Sequence, residues 1–383
     1  MLEFLENPLY PSLGPHLKLL GLTGIWRPEP KSSLTRFKSF IFYVTICYFL
    51  SQYVKCAIDF NKQSFELIMH YAPFHIGIVK SCFFLKDYAK WNLLIDYLSL
   101  VERKQIEENK KEEREIMKDY ITRNRRVTCF FWTLAFLSNF SIFSEPYQKN
   151  RTIENGTSIY LNIFDGYTPF SREPPGYYGS MAIQTILGHV VSAYVVGWDT
   201  MVVCIMIYFA GQLKISRLYA KQTITNDLIQ SHGNIEKCHK FYIELIKHHK
   251  IFASLIYSIM FIYLIVISIN LGICIIQIVE VQDDLATLIS SCMFVVACLI
   301  QLLLFYWFSN EVTLESLNVC YGVYESDWIS CNNKIKKELY LLGLSTRKKL
   351  VFKAGPFNAM SLTTFVSILR TSYSFYTLLN KTN

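Results

Sequence analysis

Residues 367–381 read SILRTSYSFYTLLNK, and how this stretch is read decides the fold. It lies in an apolar segment, 357–380, long enough to cross a bilayer. Yet Ser367, Arg370, Thr371, Ser374, Thr377 and Lys381 recur at helical spacing and share one face, opposite Ile368, Leu369, Phe375, Tyr376 and Leu379. Counted from Pro356, Arg370 stands about 13 residues, roughly 20 Å, along such a helix. Lipid on every side would make its guanidinium expensive. The polar face therefore turns toward water in a pore or vestibule shared with other helices, most simply a ring of subunits about an axis, or is buried against neighbours through Ser and Thr hydrogen bonds.

The rest of the chain supplies those helices. Its 383 residues are 52% apolar and 15% aromatic with a mean hydropathy of +0.25, a balance that points to a polytopic membrane protein. Apolar stretches of spanning length fall at 37–57, 64–85, 127–147, 181–211, 251–279, 285–309 and 357–380. The sequence thus predicts an all-α membrane protein of seven transmembrane helices. Residues 1–36 carry Pro8, Pro11, Pro15, Pro28 and Pro30 and no sustained apolar core, so no cleavable signal peptide is expected.

Charge sets the orientation. The net charge is +8, and Lys and Arg crowd into 1–36, 86–126, 212–250 and 310–356, whereas the alternate segments hold Lys62, Lys149, Arg151, Arg172 and Lys381. That alternation indicates a cytoplasmic N-terminus and an extracellular C-terminus rather than a nucleic-acid surface. Two sequons, at Asn150 and Asn155, fall in 148–180, on the side the charges place outside, and are candidate glycosylation sites. Of the eleven cysteines none lies in 148–180, while Cys47, Cys82, Cys204, Cys292 and Cys298 sit in spans, which favours packing over disulfides.

On the inner side, 102–126 mixes acids and bases at helical spacing around Ile106, Ile116 and Ile121 and reads as a solvated helix. The fourth apolar segment exceeds what a bilayer needs, so it should tilt or project inward, with Asp199 near its cytoplasmic end, within reach of water or a basic neighbour. Residues 310–356 end in an amphipathic helix whose Ile335, Leu339, Leu342 and Leu350 need a partner; another subunit is the expected one, the same chain the alternative. Enzymatic motifs are missing, and His232, His239, His248 and His249 lack carboxylates at ligand spacing, so neither metal nor cofactor is expected.

The chain resembles the insect odorant receptors along its whole length. The segment AGPFNAMSLTTFVSILRTSYSFYTLLNK (354–381) is similar to the C-terminal signature of their tuning members. HLKLLGLTGIW (16–26), WDTMVVCIMIYFAGQLKIS (198–216) and FSNEVTLESLNVCYGVYESDW (308–328), with Tyr324 and Trp328, agree. The resemblance implies an odorant-gated, non-selective cation channel formed as a heterotetramer with the shared co-receptor Orco, this chain being the tuning subunit. It also implies a cytoplasmic segment 1–36, a six-helix ligand-binding bundle 37–309, a cytoplasmic anchor 310–356 and a pore helix with a short tail, 357–383. The pore-lining residues would be Ser367, Arg370, Thr371, Ser374, Leu378 and Thr382, with Leu378 as an apolar gate and Thr382 standing where the family carries a second apolar constriction. Four copies of Arg370 at one level would repel one another and the permeant ion, which disfavours a homotetramer.

The family's odorant pocket implies a site in the outer halves of the second, third, fourth and sixth spans. There this sequence has Met69, Tyr71, Phe74 and His75; Phe136, Phe140 and Phe143; Ile186, His189, Val190 and Tyr194; and Leu288, Ser291 and Met293. Aromatic and thioether groups with a few polar donors suit a small, mostly apolar volatile, although apolar helix faces need no ligand to explain them. A gustatory receptor of the same superfamily, whose usual ending SYSFYTLLNKTN does not show, and a transporter, for which no internal repeat is found, are the alternatives.

Overall fold

The longest apolar run becomes a central post. In a computed structural model, which describes residues 5–28, 32–58, 60, 67–149, 153–154, 157–158, 160–171, 173–280 and 285–382, the helices are α1 (Gly14–Leu22), α2 (Ser33–Ile58), α3 (Ala72–Lys86), α4 (Tyr88–Glu108), α5 (Lys111–Lys149), α6 (Gly176–Lys221), α7 (Leu228–Glu280), α8 (Leu285–Tyr324), α9 (Asn333–Thr346) and α10 (Leu362–Thr382). On α6 every residue from Gly197 to Leu213 is buried. A helix apolar all round belongs in the middle of a bundle. Around it stand α1, α3, α5, α7 and α8, and α10 leans on α7 and α8. The helix runs on past the fourth apolar segment to Lys221, and the segment itself occupies the centre of the bundle.

Among the described residues five helices, α2, α5, α6, α7 and α8, are long and apolar enough to cross a membrane. The other two expected spans are helical but different in kind. Residues 67–70 and α3 are separated by a turn at Tyr71, where Pro73 occupies the first turn of α3. The last span begins at Leu362 rather than 357, because Lys353–Ala354 and Asn358–Ala359 pair as an antiparallel hairpin, β1–β2, ahead of it. Gly355 turns this hairpin at φ +72°, and a Cβ there would lie 2.4 Å from the Phe261 ring of α7. Arg370 is consequently only about eight residues, roughly 12 Å, into its helix.

The inner segments also differ from expectation. The 102–126 helix is broken at Asn109, at φ +51°, into the end of α4 and the start of α5, and it is solvated on one side only. Glu102, Gln105, Glu113, Met117, Tyr120 and Asn124 are buried, with Glu102 accepting from Ser12 N–H at 3.1 Å and from the Tyr120 hydroxyl at 2.9 Å. Burial drives the Glu102 carboxyl above its ordinary value despite those donors. On α9, capped by Asn332, the face of Ile335, Leu339 and Leu342 does not await another subunit. It packs on Ala220, Ile235, Cys238 and Val323 of the same chain, leaving Tyr340, Leu341 and Leu344 exposed on the other side. His232 finds a carboxylate that spacing did not reveal, Glu338 of α9, at 2.8 Å.

Two close fits make testable points. Gly322 of α8 crosses α6 so closely that a Cβ would stand 2.3 Å from the Arg217 carbonyl oxygen. Gly322→Ala is expected to destabilise the bundle by about 1–3 kcal/mol, read as a lower Tm in detergent. His16 of α1 is fully buried, its Nε2 3.0 Å from the Thr128 hydroxyl, and burial, then the charge of Arg125, lowers its pKa from 6.5 to about 3. Between those values the unfolded chain binds a proton that the folded chain refuses. The stabilisation is therefore complete above the unfolded value and lost as pH falls toward the folded one, by about 2 kcal/mol at pH 5. Tm should fall on acidification from pH 7 to 5, and less steeply in His16→Asn.

Candidate functional site

Aromatic side chains from α2, α3, α5 and the turn before α3 converge around a residue from none of these helices. Phe164, in the segment between α5 and α6, is fully buried, with ring centroids 5.1 Å from Phe49, 5.1 Å from Tyr71, 6.0 Å from Phe74 and 6.2 Å from Phe143. The segment is tied down on both sides. Phe164 N–H donates to Gln184 Oε1 at 3.0 Å, the Tyr177 hydroxyl donates to the Leu161 carbonyl at 2.7 Å, Tyr167 N–H donates to the Ser51 hydroxyl at 3.2 Å, and Lys55 of α2 pairs with Asp165. Offset and edge-on ring pairs of this kind add to the stability that area burial gives.

Below this plug lies a cavity of about 60 Å³ between α3, α5, α6 and α8. Its apolar wall comes chiefly from Pro73, Phe74, Phe131, Val195 and Phe294, and polar groups from Ser138, Asn139, Ser192 and Gln301. Asn139 donates to the Ser192 hydroxyl.

Behind Gln301, outside the cavity lining, lies an ion pair. Lys80 of α3 donates from Nζ to Asp199 Oδ1 at 2.6 Å, with neither side chain more than 3% exposed, and Gln301 donates its amide to Asp199 Oδ2. The ammonium also lies 4.2 Å from the Tyr263 ring centroid, 5.2 Å from Trp198 and 5.6 Å from Phe305. Asp199 thus stands at the middle of α6 and is buried with a basic neighbour, the second of the two expected partners, rather than with water. Lys80 escaped the sequence reading because it sits alone in an apolar run; such a lysine requires a buried acid, and Asp199 was a candidate.

A profile of the 7tm odorant receptor family matches residues 68–373. The chain belongs to this family. Odorant receptor 10 of Aedes albopictus is 31% identical over 179 residues, 45% of this chain and 47% of that protein. Odorant receptor Or2 of Anopheles gambiae is 26% identical over 150 residues, 39% of each. These matches span less than half the length of either relative. Over nearly the whole chain the fold is that of the insect olfactory receptor OR5 from Machilis hrabei, with a TM-score of 0.82 at 13% identity over 96% of this chain and 97% of that one. The same receptor in complex with eugenol gives a TM-score of 0.81 at 12% identity, over 97% and 98%. The all-α odorant receptor fold expected from the sequence is therefore present, in a family of receptors rather than enzymes.

Within this odorant receptor fold the expected ligand residues divide. Tyr71, Phe74, His75, Phe143, Tyr194 and Ser291 are buried, Met69, Val190, Leu288 and Met293 are half-buried, and Phe136, Phe140, Ile186 and His189 are exposed on the outside of the bundle. Of them Phe74 lines the cavity, which involves the four expected helices but lies one to two turns deeper. The reason is Phe164, which fills the outer level that the sequence assigned to ligand. A buried aromatic within a segment holding sequons was the available signal.

On α10 the odorant receptor's polar stripe faces away from its own bundle. Ser367, Arg370, Thr371 and Ser374 are exposed, while Ile368 and Ser372 are buried. The hydroxyls of Ser367, Thr371 and Ser374 are satisfied within the helix, by the carbonyls of Thr363, Ser367 and Arg370 at 2.9–3.0 Å. Leu378 and Thr382 lie on the same helix, but their side chains are outside the described set; Asn150 and Asn155 lie outside the described residues altogether.

Proposed function

We propose that this chain is the odorant-tuning subunit of a ligand-gated, non-selective cation channel, assembled with the co-receptor Orco as a heterotetramer. The observation that carries the reading is the outward polar face of α10: an arginine that its own bundle leaves uncovered, on one face with hydroxyls bonded only within the helix, needs water or another subunit in a bilayer. Ser367, Arg370, Thr371, Ser374, Leu378 and Thr382 would line the path, Leu378 as the gate, with 310–356 as the cytoplasmic anchor between subunits. The alternation of basic segments supports a cytoplasmic N-terminus and an extracellular C-terminus, with Asn150 and Asn155 glycosylated outside. Such a subunit belongs in the plasma membrane of an olfactory neuron's dendrite.

A small volatile would bind in the cavity between α3, α5, α6 and α8. At about 60 Å³ the cavity is smaller than the roughly 150 Å³ that accepts benzene, so binding must displace side chains such as Phe74, Phe131 or Phe294. Full opening from a 1:99 resting bias needs about 5.5 kcal/mol of differential affinity, so a small odorant shifts the equilibrium only part of the way unless the bias is slight. Expression with and without Orco, recording current under a panel of volatiles, tests the assignment: currents that need both subunits support it, and silence under the whole panel despite surface expression counts against it. In the same cells Arg370→Ala should alter cation permeability or the need for Orco; if it changes neither, Arg370 is not in the pore.

A further inference from the structure

The cavity wall at Gln301 has a fixed hydrogen-bonding polarity. Asp199 accepts through both carboxylate oxygens, from Lys80 on Oδ1 and from the Gln301 amide on Oδ2. A carboxylate has no proton to give, so the Gln301 side chain can approach it only amino end first. The ion pair thereby settles which way the amide points. Its carbonyl Oε1 has no partner among the described residues, although Gln301 is 94% removed from solvent, at 6% exposure, and lines the cavity. Ser138, at 3% exposure, lines it too, with no partner for its hydroxyl among the described residues.

The geometry points to a cavity selective for volatiles that carry a hydroxyl group, alcohols or phenols, over ethers of the same size; this rests on the cavity being the odorant site. The ligand O–H donates to Gln301 Oε1 and its oxygen accepts from Ser138. An ether can only accept, so it displaces whatever serves the Gln301 carbonyl and leaves that carbonyl unpaired. Sites built around a buried hydrogen-bonding group reject analogues that leave it unpaired far more strongly than they sense a methylene. Any water serving the two groups is displaced on entry, and only a donor replaces its bonds. Lys80 and Asp199 are positioning residues, acting through the amide they orient.

The test is thermal stabilisation of the full chain in detergent by two isomer pairs, benzyl alcohol with anisole and 1-pentanol with butyl methyl ether. In the wild type each alcohol should reach its half-maximal Tm shift at about a tenfold or more lower concentration than its ether, in line with one unpaired buried group. Asp199→Asn presents both a donor and an acceptor to Gln301, frees the amide to flip, and should bring the isomers within about twofold while ligand still binds. Ser138→Ala leaves the ion pair intact and removes a donor that both isomers use, so it should weaken alcohol and ether alike and keep the alcohol preference; loss of that preference would overturn the role of Gln301. Equal responses to alcohols and ethers in the wild type would overturn the selectivity and leave the cavity as a ligand site. No response to any of the four would remove the cavity as the site, and the selectivity with it.

Discussion

Lys80→Met is expected to destabilise the protein by about 3–5 kcal/mol, because it leaves the Asp199 carboxylate buried without its counter-charge. The loss belongs to the stranded acid rather than to the pair itself. Moving two charges out of water costs free energy that their attraction recovers only with good geometry and extra donors, here supplied by Gln301 and three aromatic rings. Removing both charges should therefore hurt less than removing one: Lys80→Met combined with Asp199→Leu is expected to recover most of the lost stability. Chemical denaturation or Tm of the two single variants and the double variant in detergent checks this, and additive losses would show that the two residues are not coupled.

Phe164→Ala should cost about 3–5 kcal/mol, the range for deleting a fully buried phenylalanine ring. Its four aromatic neighbours come from α2, α3, α5 and the turn before α3, so the void cannot close by moving one side chain. The same substitution opens the level occupied by Tyr71, Phe74 and Phe143 toward the cavity beneath. Larger ligands should then gain relative to small ones, measured as a shift in the size of the most effective volatile in a homologous series. An unchanged size preference with lowered Tm would confine Phe164 to a packing role.

These two residues also mark where sequence reading stopped. The helices were legible because apolar runs of spanning length have few other uses, and the stripe on α10 because helical periodicity puts its polar residues together. Orientation of individual side chains around a helix was not: Phe136, Phe140 and Ile186 looked as suited to a pocket as Phe143, yet they point outward. In a bilayer both faces of a span are apolar, so hydrophobicity no longer separates inside from outside. The partners of Lys80 and Phe164, 119 and 115 residues away at Asp199 and Phe49 respectively, depend on which helices adjoin, which no local pattern encodes. For the same reason the apolar face of α9, legible at Ile335, Leu339 and Leu342, meets the same chain, the alternative, rather than another subunit, while Leu350 lies beyond the helix in the main core.

The hairpin ahead of α10 has a mechanical corollary. Gly355 N–H holds the Tyr257 carbonyl at 3.2 Å, Met360 N–H holds Phe352 at 3.0 Å, and the Ser309 hydroxyl holds Met360 at 2.7 Å, so the root of the final helix is riveted to its neighbours. A rod clamped at one end can swing but not slide. A swing of 10° would carry Ser374, about 18 Å beyond Leu362, some ~3 Å sideways, while hardly disturbing the residues beside the clamp.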